Sequence, residues 1–207
     1  EIVGICDKDP AALASMVKET GLKAYTSLDE LLADNSIPAI GLFTNPSNRA
    51  ALVRKIMHAG RHVMTTKPFE LDPVAALDVL REARRIGKVV HMNSPSPLWP
   101  DDLAQVRSWA KEYDLGRPVA CRMAVWARHQ EKADGRWHDD PRLCPVAPIF
   151  RIGIYLINDM VRLFGEAEKV QVLSSRLFTE RPTPDNAQLS ILFKNGVMGN
   201  VFASFCV

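Results

Sequence analysis

From residue 1 to about residue 93, short apolar runs alternate with segments of helical period, and this alternation constrains the fold more than any other feature of the chain. Parallel strands cannot be joined by tight turns. They need a crossover of about a dozen residues or more, usually a helix, so the alternation predicts βαβ units and a parallel sheet. The candidate strands are Ile2–Cys6, Lys23–Tyr25, Ala39–Phe43, His62–Thr65 and Val89–Met92. One intervening helix carries the stripe Leu52, Val53, Ile56 and Met57, with Ser47 as its expected cap and Gly60 as its end. Another follows Asp72-Pro73 and stops near Gly87. It should turn Leu77, Leu80 and Ala83 inward and show Arg81, Glu82, Arg84 and Arg85 to water.

The texture changes at Ser94-Pro95-Ser96-Pro97-Leu98-Trp99-Pro100, where prolines exclude both a central strand and a helix interior. We place a domain crossing there, with one domain over residues 1–94 and a second over 95–207. Beyond it, Val119, Cys121, Met123, Val125 and Ala127 alternate with other residues, as do Ala187, Leu189, Ile191 and Phe193. That is the period of half-buried strands. Val170–Phe178 and Val197–Phe205 read as further strands, and Asn195-Gly196 as a hairpin turn. With one long helix, Ile149–Phe164, the second domain reads as an antiparallel sheet with a helix on one face.

The net charge of +2 comes from 26 basic and 24 acidic residues spread along the chain, so no basic face points to nucleic acid. A small-molecule partner is the better expectation. Cys6, Cys121, Cys144 and Cys206 have neither metal-ligand nor disulfide-framework spacing, and His58, His62, His91, His129 and His138 show no metal motif. No metal is assigned. No apolar run reaches the roughly 18 residues needed to span a bilayer, and the reading is a cytoplasmic protein without a membrane partner.

Three places could carry chemistry. Asp7 ends a strand and precedes a helix, where a carboxylate can accept hydrogen bonds from the ribose hydroxyls of an adenosine and favour NAD over NADP. Asp7 or Asp9 could equally be a helix cap, and Lys8 keeps a 2′-phosphate open. Thr44-Asn45-Pro46-Ser47 and Thr65-Thr66-Lys67-Pro68 both follow the carboxyl ends of strands, the edge where open α/β sheets bind ligands. Taken alone, Lys67 also reads as a solvated loop lysine. On the long helix, Arg151, Tyr155, Asn158 and Arg162 fall on one face of an otherwise apolar segment. That face could be simply the solvent side, and Asp159 could belong to a structural ion pair. Trp137-His138-Asp139-Asp140 lines either a polar site or an ordinary loop.

A dinucleotide-binding sheet of strand order 3-2-1-4-5-6 has its first strand at the centre, followed by a glycine-rich phosphate turn. The chain opens at Glu1-Ile2-Val3-Gly4-Ile5-Cys6-Asp7, which reads as the second strand, and its far end, Phe205-Cys206-Val207, lies within an apolar strand. The expectation is an interior piece of a longer polypeptide.

Read in order, Thr44-Asn45-Pro46, Ala59-Gly60-Arg61-His62-Val63, Thr66-Lys67-Pro68 and Gly153-Ile154-Tyr155 followed by Asn158 resemble the GFO/IDH/MocA oxidoreductases over essentially the whole chain. Gly153-Ile154-Tyr155 followed by Asn158 resembles the glucose-fructose oxidoreductase branch. The resemblance implies a Rossmann-type domain, here lacking its first strand, joined to an antiparallel-sheet domain. It implies an NAD(P)-dependent dehydrogenase acting on a sugar-like substrate, and a homo-oligomer, dimer or tetramer. It places Lys67 against both nicotinamide ribose and substrate, and gives Tyr155 the proton-transfer role. Cofactor binding then falls to Asp7, Thr44, Asn45, Pro46, Lys67 and Asn93, and substrate binding to Lys67, Arg151, Tyr155 and Asn158. A phenol ionises at about 10 in water, and a nearby ammonium such as that of Lys67 favours its phenolate.

The chain departs from the family pattern at several positions. Thr66 replaces a glutamate, Arg49 a common histidine, Cys144-Pro145-Val146-Ala147 a glycine-rich turn, and Arg151 an aspartate. The last reverses a charge beside the implied site. An arginine there can grip a carboxylate with paired hydrogen bonds, which points to an anionic sugar-like substrate. The rival reading is a sensor or regulatory protein that keeps the fold and binds a dinucleotide or sugar without turnover. Retention of both Lys67 and Tyr155 weighs against it.

Overall fold

The structure, a computed structural model, describes residues 1–96, 98–129 and 132–206. Pro97 and Val207, which figured in the sequence reading, lie outside the described residues. The chain divides into two compact units. The first comprises Glu1–Thr44, Asn48–Thr65 and Asp72–His91; the second comprises Asn45–Ser47, Thr66–Leu71 and the chain from Met92 onward.

In the first unit, β1 (Gly4–Cys6) pairs in parallel with β2 (Lys23–Tyr25) across helix α1 (Pro10–Thr20). Asp9 is the cap of α1, accepting from the amides of Ala11 at 2.9 Å and Ala12 at 3.3 Å. Helix α2 (Leu28–Ala33) leads to β3 (Ala39–Leu42), and β3, β4 (His62–Thr65) and β5 (Val90–Met92) form a second sheet in that order, β3 and β4 parallel. Helix α3 (Arg49–His58) buries Val53, Ile56 and Met57, as its stripe predicts. Its cap differs from expectation. Ser47 gives its amide to Asn45 Oδ1 at 3.0 Å in a turn of its own, and Asn48 holds the cap position at φ 59° without a side-chain bond.

Helix α4 (Pro73–Arg85) starts at Asp72 as expected, its carboxylate accepting from Val74 and Ala75. Its inward stripe is shifted from the expected one. Val79 and Ala83 are buried, while Leu77 and Leu80 are 49% and 37% exposed. Glu82 is correspondingly turned toward α3, where Arg54 at 2.6 Å and His58 at 2.8 Å hold its carboxyl below the usual range. Arg54 and His58 on α3 bind Glu82 on that side, which the polarity of α4 alone did not show.

In the second unit, helix α5 (Asp101–Glu112), absent from the sequence reading, follows the proline-rich segment and leads to β6 (Ala120–Trp126). A π-helical turn, Ile149–Gly153, runs into α6 (Ile154–Phe164), followed by β7 (Ala167–Ser175), β8 (Asn186–Phe193) and β9 (Met198–Ser204). The sheet order is β6-β9-β8-β7. β7 with β8 and β8 with β9 are antiparallel, but β6 and β9 are parallel, so the sheet is mixed and not wholly antiparallel. The chain leaves β6, crosses through α6 to β7 at the far edge, and returns through β8 to β9, which lies beside β6 in the same direction.

The hairpin turn stands at Asn195-Gly196, with Gly196 at φ 87°, a conformation that favours glycine. β7 ends at Ser175 because Asp185, 1% exposed, takes the amides of Leu177, Phe178 and Thr179. The core between α6 and the sheet gathers Ile149, Met160, Ile191, Phe193 and Val201. A Cβ on Gly199 would stand 3.0 Å from Met160 Sδ and from Phe193, so glycine lets helix and sheet approach there. In the Cys144-Pro145-Val146-Ala147 segment, Cys144 and Ala147 join Phe205 in a smaller core cluster, while Pro145 is exposed. Among the described residues no helix is long and apolar enough to cross a membrane.

Candidate active site

Lys67 and Tyr155, 88 positions apart in the numbering, come together in the second unit. The Lys67 ammonium stands 5.2 Å from the centroid of the Tyr155 ring. It also donates to the main-chain carbonyl of Arg151. The Pro68 ring after it is buried, which anchors the 66–71 loop, and Leu71 gives its amide to the Pro46 carbonyl at 3.3 Å. The loops carrying Asn45-Pro46 and Lys67 are thus linked inside one unit. Thr65, fully buried, closes the preceding strand by donating to the Leu42 carbonyl at 2.8 Å.

Tyr155 lies in the first turn of α6 and is 38% exposed. Its phenolic oxygen is 2.7 Å from Ser94 Oγ. Arg151 belongs to the π-helical turn, whose wider winding breaks the regular four-residue step to Tyr155 that a continuous α-helix implies. Gly153 sits in that turn, close to Ile149 of the same turn and within ordinary contact of the sheet. A Cβ there would meet Ile149 Cδ1 at 3.0 Å and Ala203 Cβ at 3.5 Å. The Arg151 guanidinium lies 4.9 Å from the Phe205 ring centroid. Asn158, half-buried one turn beyond Tyr155, donates to Asp159 at 3.3 Å.

Arg151 and Arg181 act on the same neighbouring groups. Burial, then the Arg181 and Arg151 charges, hold the His138 imidazole below its usual pKa against the pull of Asp134 and Asp139. Burial pushes the Cys144 thiol up to about 11, with Arg151 and Arg181 opposing. Asp134, His138 and Asp139 offer ligand atoms within 4.8 Å of one another, but Arg181 already pairs with Asp139 and lies 3.6 Å from Asp134. Asp139 also accepts the Asp134 and Gly135 amides, each at 2.7 Å, so this group is built as an ion-pair network.

In the first unit, Asp7 is exposed just past β1 and uses Oδ1 to accept the Asp9 amide at 2.9 Å. A groove of about 260 Å³ runs beside it, lined by Asp7, Lys8, Leu13, Val17, Ala24 and Thr26. This is the scale of part of a small-molecule site, which is usually about 300–1,000 Å³. An exposed carboxylate at a strand end beside an apolar groove fits the adenosine portion of a dinucleotide. Thr44 lies past β3, and its carbonyl accepts from the buried Arg49 guanidinium, the position that replaces a histidine of the family pattern. Asn93 is exposed immediately after β5. Sequence reasoning named Ser94 only as part of a domain crossing; nothing in its neighbours marked it as a partner of Tyr155.

Residues 1–94 match the model of the oxidoreductase family with an NAD-binding Rossmann fold, and residues 103–207 match the GFO/IDH/MocA C-terminal domain. An uncharacterized oxidoreductase of Schizosaccharomyces pombe is 28% identical over 77% of this chain and 42% of its own length. A UDP-N-acetylglucosamine 3-dehydrogenase of Acidithiobacillus ferrooxidans is 24% identical over 99% of this chain and 59% of its own. The chain therefore spans about half the length of these curated relatives. Among solved structures, the WlbA dehydrogenase from Bordetella pertussis, in complex with NADH and UDP-GlcNAcA, superposes with a TM-score of 0.83 at 22% identity, covering 100% of this chain and 60% of that one. With both halves matched by the family's own domains, the chain belongs to the GFO/IDH/MocA oxidoreductase family.

Proposed function

We propose that the protein is an NAD-dependent dehydrogenase that oxidises a secondary hydroxyl of an anionic, sugar-like substrate, or reduces the corresponding carbonyl. The observation that carries this reading is the Lys67 ammonium 5.2 Å from the centroid of the Tyr155 ring, in the unit that also holds Arg151. An ammonium over a phenol stabilises the negative charge that the ring gains when its proton leaves. Tyr155, 38% exposed, can then take the hydroxyl proton of a bound substrate and return it in the reverse direction.

Asp7, Thr44, Asn45, Pro46, Lys67 and Asn93 are the residues that would hold the dinucleotide, Asp7 at the adenosine ribose. When bound, NAD supplies the hydride acceptor. Everything else falls to the chain. Lys67 orients the substrate oxygen and favours the phenolate, Asn158 offers a polar contact one helical turn away, and Arg151 supplies a guanidinium for a substrate carboxylate or phosphate. A UDP-sugar is the named substrate of one relative, which supports an anionic ligand here.

The test is NAD reduction by the purified protein against a panel of neutral sugars, sugar acids and UDP-sugars. The reading predicts turnover with the anionic members ahead of the neutral ones. Dinucleotide binding without turnover on any member would favour the sensor reading instead.

A further inference from the structure

We infer that Ser94 is a positioning residue for Tyr155, holding the phenol oxygen in place and stabilising its ionised form. This rests on the reading of Tyr155 as the acid–base group. Ser94 Oγ and Tyr155 Oη are 2.7 Å apart, the distance of a good hydroxyl–hydroxyl hydrogen bond. A hydroxyl beside a phenolate can only donate to it, so the bond strengthens as Tyr155 loses its proton. Lys67 does not do this, since it faces the ring and gives a hydrogen to the Arg151 carbonyl. The two groups therefore divide the work, Lys67 acting on the ring and Ser94 on the oxygen.

Ser94 is held for the purpose from the same helix that carries Tyr155. Two turns along α6, Arg162 donates to the Ser96 carbonyl at 2.6 Å and to the Leu98 carbonyl at 2.5 Å. The Trp99 ring centroid lies 4.4 Å from the guanidinium of Arg107 on α5 and 5.9 Å from that of Arg162. The segment after β5 is thus strapped to α6 at both ends, at Ser94 by Tyr155 and at residues 96 and 98 by Arg162. A side chain on such a support loses little freedom when it bonds the phenol, which is what a positioning role requires.

The chain has three tyrosines, so ionisation of one can be isolated optically. The experiment is a spectrophotometric pH titration of tyrosinate absorbance in the whole protein, with the Tyr155→Phe titration subtracted to leave the Tyr155 component. It is repeated for Ser94→Ala, Ser94→Thr and Arg162→Met. Losing one net hydrogen bond to the charged form should move the Tyr155 transition to higher pH by about half a unit to one unit in Ser94→Ala. Ser94→Thr should restore it, and Arg162→Met should move it part of the way. An unchanged transition in Ser94→Ala, or a shift that threonine does not rescue, overturns the inference. The titration needs no substrate, so it stands apart from the proposed activity: wild-type turnover in Tyr155→Phe would remove that activity's mechanism whatever Ser94 does.

Discussion

The Lys67 ammonium faces the plane of the Tyr155 ring at 5.2 Å from its centroid and does not hydrogen-bond the phenol oxygen. Its influence on Tyr155 is therefore electrostatic and depends on charge more than on hydrogen-bond geometry. Lys67→Arg keeps a cation able to stack on the ring and should retain part of the turnover. Lys67→Met keeps the stem, loses the charge and should lower turnover by about a hundredfold. Equal activity of the two variants would show that charge over the ring is not the working feature.

Arg151 should set substrate charge. Arg151→Asp is predicted to reverse the preference between a sugar acid and its neutral counterpart, with kcat/KM for the acid falling by at least about tenfold. An unchanged ratio would leave the anionic part of the account without support.

Much of this was legible in the sequence. The strands of the first unit are short and bounded by turn residues, so their positions were readable to within a residue or two, and Asn195-Gly196 announced its hairpin. What the sequence did not show were features decided by partners far along the chain. Glu82 of α4 is bound by Arg54 and His58 on another helix. The parallel seating of β6 beside β9 is a matter of long-range pairing. The π-helical turn changes the spacing from Arg151 to Tyr155, which periodicity assumed to be regular. Ser94 reaches Tyr155 across sixty-one residues, and a serine between an asparagine and a proline carries no local sign of that. By contrast, Asp101-Asp102 after Pro100 is a readable helix start, two acidic residues in a first turn just past a proline.

Asp185 should govern acid stability in the second unit. Burial raises its pKa, but the amides of Phe178, Thr179 and Leu177 outweigh burial and leave it below the usual carboxylate range. A carboxylate whose folded value is depressed contributes stability that is fully present above its unfolded value of about 3.9 and is lost as pH falls through the folded value. Thermal melts should show a steeper loss of stability below about pH 4 in wild type than in Asp185→Asn. Asp185→Ala, which strands those amides, should cost at least about 2 kcal/mol at neutral pH.

Cys144 should be inert. It is fully buried, and burial pushes its thiol up to about 11 even with Arg151 and Arg181 opposing. At neutral pH the thiolate that reacts with alkylating reagents is scarce and shielded. Mass spectrometry after brief native alkylation should find Cys144 unmodified, and alkylation after denaturation should find it labelled. Rapid native labelling would mean that the Cys144, Ala147 and Phe205 cluster opens.

The most direct test is the turnover of Tyr155→Phe with NAD on an anionic sugar accepted by the wild type, with circular dichroism and melting temperature confirming the fold. The substitution removes one oxygen and leaves the ring beside Lys67. The account predicts a loss of about a hundredfold or more in kcat. Wild-type turnover in a folded Tyr155→Phe protein would contradict it and require a different acid–base group.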